Sequence, residues 1–194
     1  MFALPKNFMT PEEYLKFERQ SEIKHEYLNG EIFAMSGASE RHNLIVFNTI
    51  AILHGQLRKR PCKAYPSDMR VRVKGTSFYT YPDISAVCGN AEFEDDVLDT
   101  LLNPSTIIEV LSPSTENYNR GKKFQQYRKL DSLQDYLLIA QDSMRIEHYA
   151  RQGEQWILTD VAGADGVVTL ASIGCALSLS DVYEKVTFEN DDES

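Results

Sequence analysis

The sequence predicts one α/β domain built on a mixed β-sheet flanked by helices, with extra antiparallel strands at its C-terminal end. Three observations carry that prediction. The 194 residues hold 42% hydrophobic and 25% charged side chains, as a soluble globular chain does, and are enough to bury a core without staples. Strand-like apolar runs alternate with stretches of helical period across the first two thirds, and the last third alternates with period two. No internal repeat, low-complexity tract or linker composition divides the chain, so 1–188 reads as a single domain and the acidic 189–194 as a disordered tail.

The elements follow in order. Thr10-Pro11-Glu12-Glu13 opens a helix, with Thr10 as N-cap, Pro11 at the first helical position and Glu13 closing a capping box. The stretch His25–Gly37 places Asn29-Gly30 between two short alternating runs, the pattern of a two-residue hairpin whose turn residues must accept positive φ. From Glu40 to Leu57 the spacing of Leu44, Phe47, Ile50, Leu53 and Leu57 is helical. Strand-like runs then occur at 63–66, 68–73 and 83–88, an acidic loop at 89–100, and a short apolar strand at 105–112 interrupted by Glu109. A helix over 119–130 and a strand over 135–140 come next. The runs 145–151, 155–161 and 166–172 turn back and forth like an antiparallel meander.

Composition bounds the function. No run of eighteen apolar residues exists, and Pro5 and Lys6 interrupt the apolar core a signal peptide needs, which predicts a soluble, cytoplasmic chain without membrane contact. Cys62, Cys88 and Cys175 are odd in number, far apart and without CxxC spacing, so they read as separate core thiols rather than a disulfide framework or a zinc site. The net charge of -9 opposes non-specific attraction to phosphates.

Two acids stand where acids are costly. Asp83 heads the strand Ile84–Val87 directly behind Pro82, and Glu109 lies among Ile107, Ile108, Val110 and Leu111. An unpaired ion in such a strand is expensive. If the two strands are neighbours, the carboxylates converge on one hard cation with oxygen ligands and retained waters, as Mg²⁺ prefers; otherwise each caps a loop or pairs with an arginine. On the following helix, at 100° per residue, the apolar face centres near Tyr127. Lys123 lies about 40° and Arg120 about 20° from that centre, while Lys122 falls about 140° away. Lys123 and Arg120 therefore point inward or along the edge while Lys122 faces solvent, and Lys123 either serves a site or is a stem snorkelling past the core.

The segments 81–87, 105–115, 119–139 and 146–153, with 25–43, resemble a large prokaryotic family of putative restriction endonucleases within the PD-(D/E)XK nuclease superfamily, from about Thr10 to Val186. The resemblance implies a restriction-endonuclease-like fold and a Mg²⁺-dependent (Mn²⁺ being possible) endonuclease that hydrolyses phosphodiester bonds in nucleic acid, with DNA expected ahead of RNA. Pro82-Asp83 matches the PD element and Glu109 the second acid, the two being the implied catalytic metal ligands. The pattern departs at the third position, where Leu111 stands in place of lysine, and Lys123 matches a migrated catalytic lysine. Glu26 matches an early acidic position, with a surface ion pair as its alternative, and His42 matches a position that contacts phosphate or water, or merely caps its helix. Arg120 is a candidate for substrate phosphate. Basic clusters at Arg58, Lys59, Arg60 and Lys63 and at Arg70, Arg72 and Lys74 are candidate patches. A homodimer is implied by analogy, paired through the C-terminal strands. Two readings of other classes stay open: a catalytically idle nuclease-fold binding or assembly module, and a hydrolase of smaller phosphate esters.

Overall fold

The structure, a computed structural model, describes residues 8–188. Pro5 and Lys6, on which the expectation of no signal peptide rests, and the expected acidic tail lie outside them. In chain order the elements are α1 (Pro11–Glu18), β1 (His25–Leu28), β2 (Glu31–Ala34), α2 (Glu40–Leu57), β3 (Cys62–Pro66), β4 (Arg70–Val73), β5 (Phe78–Thr80), β6 (Ile84–Cys88), β7 (Thr100–Leu101) and β8 (Thr106–Val110). A helical segment follows, made of α3 (Glu116–Tyr118), a π-helical turn (Asn119–Lys123) and α4 (Phe124–Tyr127). The chain continues through β9 (Asp135–Ile139), β10 (Arg145–Gln152), β11 (Gln155–Ala162), β12 (Val167–Leu170), β13 (Cys175–Ser178) and α5 (Leu179–Val182).

Local chemistry sets the first elements. Thr10 Oγ1 accepts the Glu13 N–H and the Glu13 carboxylate accepts the Thr10 N–H, the reciprocal box that starts α1. Asn29 and Gly30 sit at φ 50° and 91°, so the β1–β2 hairpin closes in two residues. In α2 the buried row is Ile45, Thr49, Leu53 and Leu57, while Phe47 faces solvent; Thr49 is tolerated inside because its hydroxyl donates to the Ile45 carbonyl at 2.7 Å.

The strands form two main sheets rather than one. A six-stranded mixed sheet runs β11-β10-β9-β8-β6-β3, with β8 and β9 parallel and the other neighbours antiparallel. A five-stranded sheet runs β2-β1-β5-β4-β7. Residues of even number on the central strands, Ile84, Ala86, Ile108 and Val110, pack with α2, the β12–β13 hairpin and α5. Val87, Ile107 and Leu111, on the opposite face, pack with Phe124 and Tyr127 and with Val71, Val73 and Phe78 of the five-stranded sheet. The period-two alternation of β6 and β8 thus feeds two cores.

Two expectations need correcting. The C-terminal meander stops at β11: β12 pairs only with β13 as a separate two-stranded sheet. The chain crosses over at Gly166, where an added Cβ would meet Val161 at 2.7 Å and Leu179 at 3.2 Å. The thiols are not all separate, because β3 and β6 pair in a register that sets Cys62 opposite Cys88, and a disulfide joins them; Cys175 alone is a buried free thiol. Among the described residues no helix is long and apolar enough to cross a membrane.

Candidate active site

Pro82 cannot join a ladder through its missing N–H, and Asp83 follows it at the mouth of β6. The antiparallel register that pairs Ile84 with Ile108 carries outward to set Asp83 across from Glu109. Asp83 Oδ2 accepts the Val110 N–H at 2.7 Å, and Oδ1 lies 3.1 Å from His42 Nε2. His42 occupies the first turn of α2, its backbone N–H bound to the Ser39 cap at 3.2 Å. Burial works against an imidazolium here, but the hydrogen bond to Asp83 and the charges of Asp83 and Glu109 outweigh it and raise the His42 pKa above its ordinary value.

Glu109 is buried in the middle of the sheet. Its Oε1 accepts from Tyr127 Oη at 2.8 Å and lies 2.8 Å from Lys123 Nζ. The same ammonium is 2.9 Å from Glu26 Oε1, delivered from β1 in the other sheet. Glu26 in turn accepts from the Thr80 hydroxyl and, at 3.2 Å, from Tyr118 Oη. Lys123 thus bridges two sheets with its side chain only 5% exposed. Burial disfavours its charge, yet Glu109 and Glu26 together hold its pKa well above the usual lysine value. For Glu109 the balance goes the other way: burial, with repulsion from Asp83, outweighs Lys123 and pushes the carboxyl up to about 7.

Asp83, Glu109, Lys123, Glu26 and His42 all line one cavity of about 360 Å³ between α2, the π-helical turn and the ends of β6 and β8. Arg120 is not among them. Its guanidinium donates to Glu147 at 2.7–3.2 Å and to Glu116, and it lines a neighbouring cavity of about 650 Å³. The π-helical turn explains the difference, because its i→i+5 bonding widens the helix and shifts Arg120 off the phase a regular α-helix gives it. Lys122 is exposed.

Neither basic cluster reaches this cavity. Arg70 is buried against Asp99, Thr100 and Tyr81, Arg72 pairs with Glu94, and Lys74 pairs with Glu92. Arg58 follows the far end of α2, sixteen residues and about 24 Å of helix rise from His42. The partners that sequence reasoning missed are the hydroxyls of Tyr118, Tyr127 and Thr80. Thr80 stands two residues before Pro82, and Tyr127 at its helical spacing reads only as core.

The oxygens that could meet a hard cation are those of Asp83 and Glu109. Asp83 and Glu109 supply carboxylate oxygens to one cavity, and Glu109 and Glu26 hold one buried lysine in its wall. Among the described residues no group of three or more His, Cys, Asp or Glu side chains is arranged to hold a metal. Two carboxylates with waters are nevertheless how Mg²⁺ is commonly held.

Comparison with known proteins shows the family and the fold. The Uma2 family, described as "Putative restriction endonuclease", matches residues 11–180. The uncharacterized protein sll1609 of Synechocystis sp. (strain ATCC 27184 / PCC 6803 / Kazusa) is 36% identical over 169 residues, 87% of this chain and 96% of that protein. The uncharacterized protein slr1290 of the same organism is 34% identical over 181 residues, 93% and 94% of the two chains. A crystal structure described as a putative nuclease belonging to DUF820, from Anabaena variabilis ATCC 29413, has a TM-score of 0.74 at 22% identity, covering 90% of this chain and 97% of that one, and shows the shared fold.

Proposed function

The chain belongs to the Uma2 family of putative restriction endonucleases, and from that premise we propose that it is a metal-dependent nuclease that hydrolyses phosphodiester bonds in DNA. The observation that carries the reading is the convergence of Asp83 and Glu109, from adjacent strands, on a cavity whose wall holds a buried lysine. Mg²⁺, or Mn²⁺ in its place, would be held by Asp83 and Glu109 and, when bound, supplies Lewis acidity toward the phosphate and a more acidic water. Lys123, fixed between Glu26 and Glu109, presents its remaining donor capacity to the water or to the charge that develops on the phosphate. Glu26, itself anchored by Thr80 and Tyr118, positions that ammonium. His42, oriented by Asp83, offers its ring to a phosphate oxygen or a water.

A homodimer joined along the outward edge of β11, where Ile157 and Leu158 stand exposed, belongs to the same proposal. The net charge of -9 and the internal pairing of Arg70, Arg72 and Lys74 favour one second reading, hydrolysis of smaller phosphate esters. The test is cleavage of a labelled DNA oligonucleotide beside a small phosphodiester, in Mg²⁺ and in EDTA. DNA cleavage that requires Mg²⁺ and disappears in Glu109→Gln supports the nuclease; cleavage of the small ester alone supports the second reading. Cleavage that persists in EDTA contradicts both.

A further inference from the structure

We infer that Lys24 is a substrate-binding residue of this site, holding the phosphate next to the scissile one, so that the substrate is an oligonucleotide chain rather than a single nucleotide. The inference rests on the reading of the cavity as a phosphodiester site. Lys24 directly precedes β1, and its carbonyl accepts the Met35 N–H, so the strand geometry extends to it. It therefore shares a strand face with Glu26, two residues on, and both side chains line the cavity.

The cavity's other cations are already committed. Lys123 is clamped between two buried carboxylates and His42 lies on Asp83. Lys24 is held differently: its Nζ donates to the Ser67 carbonyl at 3.1 Å and hydroxyl at 3.2 Å, and it sits 5.6 Å from the centre of the Tyr81 ring. These contacts fix the ammonium at the mouth without neutralising it. Its one acidic partner among the described residues, Asp68 at 2.6 Å, has a side chain 84% exposed, and such a pair is weak enough for a phosphate to displace. The adjoining wall of Ala34, Met35 and Val46 is apolar and suits the sugar and base that a neighbouring phosphate brings with it.

The test is fluorescence anisotropy of a labelled single-stranded DNA oligonucleotide against the full chain, with Ca²⁺ replacing Mg²⁺ so that binding is read without turnover. Lys24→Gln is expected to weaken binding about tenfold and to flatten the slope of log K against log salt by about 0.7, the loss of one phosphate contact. Lys24→Arg should restore most of the affinity. Asp68→Asn, an exposed change that spares the fold, should tighten binding by removing the competitor. Affinity and slope in Lys24→Gln equal to those of the unsubstituted chain, or failure of the unsubstituted chain to bind, overturns the inference. Binding that depends on Lys24 in a chain that cleaves nothing would remove the hydrolase reading and leave Lys24 as a phosphate contact of a DNA-binding cavity.

Discussion

Glu109 is the residue through which pH reaches the site. Its folded pKa, about 7, lies above its ordinary 4.5 because burial and Asp83 outweigh Lys123. The folded state therefore holds a proton that the unfolded state has released, and the contribution of Glu109 to stability falls as pH rises from about 4.5 through 7. His42 has the same sign, since its raised pKa gives stability present below 6.5 and lost as pH climbs through the folded value. Glu109→Gln should remove the first contribution and weaken the second. In metal-free thermal melts between pH 5 and 8, the unsubstituted chain should lose stability relative to the variant as pH rises. A gap constant across that range would show that Glu109 carries no such shift. The two strand acids were legible in the sequence, because a carboxylate among isoleucines and valines has a cost that demands a partner. The tyrosine hydroxyls were not, since an aromatic side chain at helical spacing reads as core whether or not its polar tip is used.

Among the elements, the segment 116–127 decides which cation enters. Counting at 100° per residue put Lys123 inward and Lys122 outward, and the structure has Lys123 buried and Lys122 exposed. The same count places Arg120 inward or along the edge, and the structure leaves it at the edge, with Glu116 and Glu147, outside the cavity of Lys123. Periodicity assumes a regular helix and cannot see an inserted residue in the turn. Lys123→Ala should abolish metal-dependent cleavage and, by orphaning Glu26 and Glu109, destabilise the fold by about 3–5 kcal/mol. Lys122→Ala should leave cleavage intact and stability within about 0.5 kcal/mol. Urea titrations run beside the cleavage assay separate the two effects; equal loss in both variants would show that helical phase does not select the lysine.

At the scale of the whole molecule, the site exists only where the layers meet. Glu26 comes from the five-stranded sheet, Asp83 and Glu109 from the six-stranded one, His42 from α2 and Lys123 from the π-helical turn. The mixed sheet, the main helix and the Asn29-Gly30 hairpin were readable from pattern. Partner choice was not: alternation tells which face of a strand is buried but not which strand lies beside it. For that reason the separate five-stranded sheet, the short β5 that runs into Pro82 and the β12–β13 pair went unseen. The Cys62–Cys88 disulfide is the same failure, two cysteines distant in sequence that become opposite only once β3 pairs with β6. The basic clusters show the converse, since charges adjacent in sequence are divided by the fold among internal ion pairs and the far end of α2.

The central claim is that Asp83 and Glu109 share one metal ion. Calorimetric titration of Mn²⁺ into the metal-free chain tests it without any assumption about substrate. One site per chain is predicted for the unsubstituted protein, absent from both Asp83→Asn and Glu109→Gln, with far-ultraviolet circular dichroism verifying that each variant is folded. Undiminished Mn²⁺ binding in either folded variant, or no binding by the unsubstituted chain, would contradict the account.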